Sequence, residues 1–441
     1  MQDSKARTGL LVLIVSLLAW IAYQDLILPI LFQKGMPIPL LKIGLLSKDL
    51  FIVLLLGILI SRFHFFLNLP ASPILFTVLY YGAYVLLFFG ISTIEFYIRV
   101  ASLRALALPI ILFLIGYVLE WKEKQICIFL FSIIIIGISS AIFGIFERFL
   151  LPITFWQNWV GIGNFVAKVK GAEGFVMDGV QSNIMSDFGR RMVGSFGNPL
   201  SFAYFLVVPL WILISSFFSF NSFDFYQKKM RWLFHPVLFC LFLIAFCLWM
   251  SICRAVILAL IPAGLLYLIL EKHYNLLRFS FFVLLCGAIL TVPIWWTILM
   301  QTIFMEDSSA LSHWLDFSSG LKAVLSHPLG LGVGSAGAWS IVLESGTQGP
   351  GEVSYFVVAY QLGWFGLILF WIFWGLSISK LGNYKYFANP YQKILFQTAF
   401  YSSVTYFLTG WISEQIFTFT SVAHFWLILG LAVRQSEEIV F

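Results

Sequence analysis

The chain has 441 residues, 61% hydrophobic, 18% aromatic and only 10% charged, with a mean hydropathy of +0.96. No soluble domain carries that much apolar surface without aggregating, so the composition describes a polytopic membrane protein without a separate soluble domain. The formal charge of +6 is modest and the basic residues are dispersed, which argues against a nucleic-acid surface.

Taken in order, apolar runs of about 17 to 25 residues predict spans near 9–31, 44–61, 72–92, 103–119, 125–146, 198–220, 232–251, 254–270, 279–300, 354–378, 394–411 and 415–433. That is an all-α chain of about twelve transmembrane helices forming a single integral membrane domain, residues 1–441. The first run follows Lys5 and Arg7 as a signal peptide would, but it lacks a small-residue cleavage site and is expected to be a retained helix. With the N-terminus cytoplasmic, every inner loop carries Lys or Arg, including Arg62, Lys122, Lys124, Lys272, Lys380, Lys393 and Arg434. Both termini then lie in the cytoplasm. Two long extracytoplasmic loops, 147–197 and 301–353, lie on the opposite face.

Cations gather on that outer face against the usual bias: Arg99, Arg104, Lys168, Lys170, Arg190, Arg191 and Arg254. Arg254 interrupts two apolar runs with almost no loop between them. An arginine at helix depth costs roughly 2.5–3.5 kcal/mol, less if it reaches the interface. An anionic ligand would offset that cost; so would a phospholipid or a nearby carboxylate at a tight turn. Arg190 and Arg191 stand just before a turn and helix start, Gly194 to Pro199 with Asn198 among them. There paired arginines suit phosphate recognition, or simply anchor a helix.

Between Gln301 and Tyr355 the sequence becomes a polar island holding Glu306, Asp307, His313, Asp316, Lys322, His327, Glu344 and Glu352. Trp314, Phe317, Leu321, Val324 and Leu325 fall at helical spacing, with Asp316, Ser318, Ser319 and Lys322 opposite them. This predicts an amphipathic helix along the membrane surface, stopped by His327-Pro328 and Gly330. Gly332 to Gly337 spells G-x-G-x-x-G, but no strand precedes it, so it reads as a tight turn with exposed backbone and not as a dinucleotide site. Glu352 ends the island just before a span. It suits a general base, or a helix N-terminal acid favoured by the macrodipole.

One chemistry would use these groups together. Outer-face arginines would hold a leaving diphosphate while a carboxylate takes the proton from an attacking sugar hydroxyl. Nucleotide sugars are cytoplasmic, so the donor would be lipid-linked. No H-E-x-x-H, C-x-x-C, G-x-S-x-G or Walker pattern supports the common hydrolase and NTPase mechanisms. The five cysteines, Cys127, Cys240, Cys247, Cys253 and Cys286, have neither zinc nor disulfide spacing and read as packing residues. A secondary transporter would show related halves and midplane charges, which this sequence lacks.

Three stretches carry a resemblance to the O-antigen polymerase and O-antigen ligase superfamily of bacterial envelope glycosyltransferases. Arg191-Met-Val-Gly-Ser-Phe-Gly-Asn-Pro199 resembles its R-x-x-G-[ST]-F-x-N-P run. Cys253-Arg254-Ala255 resembles its S-R-G/A run, with Cys253 in place of serine. Trp314 to Gly337, ending His327-Pro-Leu-Gly-Leu-Gly-Val-Gly334, resembles the outer-loop run that ends H-P-x-x-G-x-G. The hydropathy pattern extends the likeness over roughly residues 100–430. The resemblance implies a GT-C-like membrane architecture in a bacterial inner membrane, and saccharide transfer from undecaprenyl diphosphate without metal or other cofactor. It assigns the diphosphate to Arg191 and Arg254. Arg190, Asn198, His313, His327 and Tyr355 become candidate substrate-binding residues, and Glu352 the candidate base. Related ligases keep a histidine at the Glu352 position, and relatives often have glutamate where this chain has Gln361; both departures favour the polymerase branch. Membrane lipids, a flippase and a chain-length regulator are the implied partners.

Overall fold

The structure, a computed structural model, describes residues 2–60, 72–170, 184–186, 189–221, 231–272, 308–337, 340, 349–382 and 389–438. The expected span 279–300, the loop stretches 171–183 and 341–348, and Glu306, Asp307 and Glu344 lie outside the described residues. The protein is a multi-pass, all-helical membrane protein; a two-residue ladder, β1 (Met185–Ser186) against β2 (Gly189–Arg190), is the one strand pairing among the described residues.

In chain order the helices are α1 (Gln2–Gln33), α2 (Ile38–Ile60), α3 (Pro73–Ile91), α4 (Phe96–Val118), α5 (Glu123–Leu150) and the short α6 (Ile162–Lys170). Then come α7 (Pro199–Asn221), α8 (Arg231–Met250), α9 (Arg254–Leu270), α10 (Ser308–Ser326), α11 (Ser354–Leu381), α12 (Pro390–Thr409) and α13 (Phe419–Glu438). Among the described residues six are long and apolar enough to cross a membrane: α1 from Arg7, α3, α4, α5, α7 to Ser219, and α11. Two shorter apolar helices lie at Pro236–Met250 and Arg254–Leu270. That is fewer than the twelve expected. Lys42, Lys48 and Asp49 dilute α2, while Lys393, Gln397, Ser402, His424 and their polar neighbours dilute α12 and α13. Gln397, Ser402 and His424 are buried against neighbouring helices. Trp211 donates to Thr405 Oγ1 at 3.1 Å, and His424 Nε2 lies 3.0 Å from the carbonyl of Phe205.

Side-chain contacts sort the helix ends into two sets. At one end Arg7 meets Glu120 at 3.4 Å, Lys393 meets Glu271 at 3.7 Å, Asn389 meets Glu123, and Glu437 accepts from Ser72 and Tyr117. At the other end Ser92 bonds Val333 O, Arg148 bonds Met250 O, and Ser354 bonds Ser413 O. Consecutive long helices therefore alternate in direction. The Arg7 end carries residues near both termini of the chain, and the Arg254 end carries α6, the ladder and α10.

The tightest crossing is α4 on α13. Gly116 and Gly430 are the reason: a Cβ on either would collide with the backbone of the other helix. Small residues are what allow such close approach in lipid.

The glycine-rich turn departs from expectation, because residues 332–337 are buried inside the bundle. Helix α11 is broken at Gly363, whose φ of 73° and ψ of 176° leave the helical region. The turn fills the break. Leu331 N donates to Tyr360 O at 2.9 Å, Gly332 N to Gln361 O at 3.0 Å, and Trp364 N to Pro328 O at 3.0 Å. Those bonds satisfy backbone groups that hydrocarbon would leave orphaned. A Cβ on Gly363 would sit 2.7 Å from the backbone of Leu329, so the fit admits no side chain. Gln361, 2% exposed, completes the seam: its Oε1 accepts from Gly334 N at 2.9 Å and its Nε2 donates to Ala336 O at 3.0 Å. A glutamate has no N–H for Ala336, which accounts for the amide at this position.

Candidate functional site

The Arg254 end is assembled from three backbone devices. The first joins α8 to α9 through Ser251, Ile252 and Cys253 only. Ile252 has φ of 53°, a left-handed conformation that a β-branched residue adopts only under constraint. The constraint comes from arginines that take the orphan carbonyls at the end of α8. Arg148 Nη1 donates to Met250 O at 2.9 Å, Arg191 Nε to Ser251 O at 3.1 Å and Arg191 Nη2 to Ile252 O at 3.4 Å. Arg254 opens α9 directly after this turn, as the sequence reading required.

The second device is the ladder that delivers Arg191. Arg190 is committed elsewhere: it forms an ion pair with Glu147, which is 0% exposed, and donates to Glu147 O at 2.9 Å and Leu151 O at 2.8 Å. It closes the end of α5 and stands apart from the candidate diphosphate set. Met192 N bonds Met250 O at 3.0 Å and locks the ladder onto the same turn. Asn198 serves as the cap of α7, its Oδ1 accepting from Leu200 N at 2.8 Å. The start of that helix is thus occupied by its own chain and does not present bare N–H groups.

The third is α10, the expected amphipathic helix. It packs on α11 through Phe317, whose ring lies 5.1 Å from that of Phe356, through Gly320 and through the buried Val324. Trp314, Leu315 and Leu325 are exposed and form an apolar stripe of the kind that lies in a membrane interface. Asp316 is the correction here. It is half-buried beside Glu352, whereas helical spacing had assigned it to the outward polar face.

These devices bring four of the candidate residues together. His313 Nδ1 lies 2.5 Å from Glu352 Oε2. Arg254 is close enough to act on His313 electrostatically, and close enough to Arg191 for the two positive charges to repel. The hydrogen bond to Glu352 raises the His313 imidazole above its ordinary value, against burial and Arg254, with the charges of Glu352 and Asp316 adding to the rise. Burial, and then the Glu352 charge, raise the Asp316 carboxyl. Burial lowers the Arg191 guanidinium, and Arg254 pushes the same way. Glu352 does not cap α11, whose cap is Val353 and carries no side-chain bond. Its carboxylate faces the histidine.

The remaining candidates are elsewhere. Tyr355 is 0% exposed and donates its hydroxyl to Phe407 O at 2.6 Å, which makes it a core residue joining α11 to α12. His327 stands edge-on to Tyr360, ring centroids 5.5 Å apart, beside the glycine-rich turn. Of the cysteines, Cys247 and Cys253 are buried thiols and Cys127 and Cys240 are half-buried, as packing residues should be; Cys286 lies outside the described residues.

Sequence reasoning missed a second polar region at this end, a cavity that includes Gln24, Asp25, Lys48, Arg104 and Glu414. The signal was available: Lys48 and Asp49 sit within an apolar run, and an ionisable residue inside a span marks a site by default. The class of protein defined by fold and site is a multi-pass helical membrane protein with a cationic, carboxylate-bearing cluster at one end. No protein-family model matches the chain, and no curated protein matches it either.

Proposed function

We propose that this protein is a membrane glycosyltransferase that joins undecaprenyl-diphosphate-linked oligosaccharide repeat units, of O-antigen or a related exopolysaccharide. It acts at the outer face of a bacterial cytoplasmic membrane. The observation that carries the reading is the meeting of the His313–Glu352 pair with Arg254 and Arg191 at one end of the bundle. Two arginines there favour an anion, and a carboxylate paired with an imidazole can accept a proton.

In this mechanism the diphosphate of the donor sits against Arg191 and Arg254. A hydroxyl of the acceptor sugar attacks the anomeric carbon of the donor, and the bond from that carbon to the diphosphate oxygen breaks. Glu352 takes the hydroxyl proton, with His313 orienting its carboxylate. The undecaprenyl diphosphate leaves with the bonding electron pair, its charge offset by the arginines. The alternating directions of the described helices support a topology with both ends of the chain on the cytoplasmic side, as expected for a GT-C-like, twelve-span protein.

A second reading, transfer of finished polysaccharide to lipid A–core by a ligase, gains from His313, since a histidine base is what the related ligases are expected to use. In vitro polymerisation of purified lipid-linked repeat units tests the first reading with the wild type, and its base with Glu352→Gln and His313→Ala. With Glu352 as the base, Glu352→Gln cuts turnover by about 10²- to 10⁴-fold while donor binding persists. Retention of more than about a tenth of the rate by Glu352→Gln, with loss in His313→Ala, would move the base to the histidine.

A further inference from the structure

The cavity at the Arg254 end has a volume of about 550 Å³, inside the roughly 300–1,000 Å³ range of small-ligand sites. Its wall draws on α1, α2, α4, the start of α7, the glycine-rich turn, α11 and the turn at Glu414–Phe417 that leads into α13. In a bundle this apolar, such a wall is costly to keep unless its polar groups are answered. Some are answered by neighbours: Lys48 Nζ, on a residue 8% exposed, donates to Gln24 Oε1 at 3.2 Å, and Arg104 Nε lies 2.9 Å from Asp49 Oδ1. Ser102 is not. It is 3% exposed, lines the cavity, and its hydroxyl has no hydrogen-bond partner among the described residues.

We infer that this cavity binds the sugar rings of a saccharide substrate, separately from the diphosphate. The inference rests on the glycosyl-transfer reading above. The charges decide the ligand class. Arg104 is already neutralised by Asp49, and Lys42 and Lys48 share the wall with Asp25 and Glu414, so the wall offers no surplus of positive charge to a diphosphate. A polyhydroxyl ligand meets what it needs: the carboxylates of Asp25 and Glu414 for its hydroxyl donors, and Lys42 and Ser102 for its oxygens. Phe417 and Phe419 add apolar surface for the C–H faces of a ring. The cavity also shares the first turns of α11 with the candidate base. Ser354, two residues after Glu352, donates to Ser413 O beside Glu414 at 2.6 Å, and Val357, one turn on, lines the cavity.

The test uses the full chain purified in detergent, with Ser102→Cys or, as an independent reporter, Ser201→Cys placed in a variant that lacks the native cysteines. The rate of modification by a small thiol reagent is measured alone, with lipid-linked repeat unit, and with undecaprenyl diphosphate. The expected result is that the repeat unit slows modification at both positions by about fivefold or more, as an occupied site should. Undecaprenyl diphosphate should leave the rate nearly unchanged. Equal protection by the sugar-free carrier would assign the cavity to the diphosphate and overturn the inference. So would absence of protection while the same preparation forms polymer. Protection by the repeat unit without polymer would sink the polymerase reading and leave the saccharide site standing. Neither protection nor polymer would end both.

Discussion

At the Arg7 end, Arg7 and Lys393 each meet a carboxylate, Glu120 and Glu271, at 3.4 and 3.7 Å. At the Arg254 end, Arg148 and Arg191 donate instead to the carbonyl oxygens of Met250, Ser251 and Ile252, and Arg191 tolerates Arg254 beside it. A carboxylate cancels a charge; a carbonyl only orients it. Adjacent residues show both outcomes, since Arg190 is neutralised by the buried Glu147 while Arg191 keeps its field. The Arg7 end pairs these cations with carboxylates, whereas around the turn between α8 and α9 two arginines hold backbone carbonyls and keep their charge.

The largest expected effect tests that difference directly. Arg191→Ala and Arg254→Ala should each lower polymer formation by about 10²- to 10³-fold, the loss expected when a stabiliser of a leaving anion is removed. Arg7→Ala, at the opposite end, should stay within about twofold and lose at most about 1 kcal/mol, because its partner Glu120 is 42% exposed and the pair is screened. The measurement is initial rate on purified lipid-linked repeat units at matched protein amounts. Equal losses at both ends would erase the contrast.

A smaller effect concerns the seam that supports the Arg254 end. Gln361→Glu removes the donor to Ala336 O and sets a carboxylate against that carbonyl. The expected cost is about 1–3 kcal/mol, with more if the acid stays charged. Thermal unfolding in detergent reads it, and an unchanged Tm would mean that the glycine-rich turn does not depend on Gln361.

The smallest is a pH effect at His313. Its folded-state value is raised above 6.5, chiefly by Glu352. The stability it contributes is therefore complete below the unfolded value near 6.5 and is lost as pH rises through the higher folded value. Asp316, also raised, runs in the same sense from its lower ordinary value of 3.8. The Tm of wild type minus that of His313→Gln should shrink as pH rises above 6.5. The His313 side chain is 48% exposed, so the whole effect should stay within about 1 kcal/mol. A difference that grows with pH would contradict the pairing.

The helices were legible because membrane crossing demands long apolar runs, and eleven of the twelve expected spans coincide with helices to within several residues, the last lying outside the described residues. Arg191, Arg254 and Glu352 were legible as motifs on one face and His313 as a member of the polar island, but not the meeting of the four. Burial of the glycine-rich turn was not, since glycines read alike whether they face water or fill a broken helix. Asp316 was assigned outward because the wheel of α10 was drawn from its large side chains, whereas the inward stripe runs through His313, Phe317, Gly320 and Val324. The cavity could not be read at all from local pattern. Its wall is collected from widely separated segments, from Gln24 to Thr420, and no window along the chain contains it.

The break at Gly363 has a consequence for biogenesis. Because α11 needs Pro328, Leu331 and Gly332 to complete its backbone bonding, residues 354–381 are not a self-sufficient unit for release into lipid. The nascent segment leaves the insertion machinery competent only with the preceding turn folded against it. A ribosome pause or truncation between residues 337 and 363 should therefore be tolerated poorly.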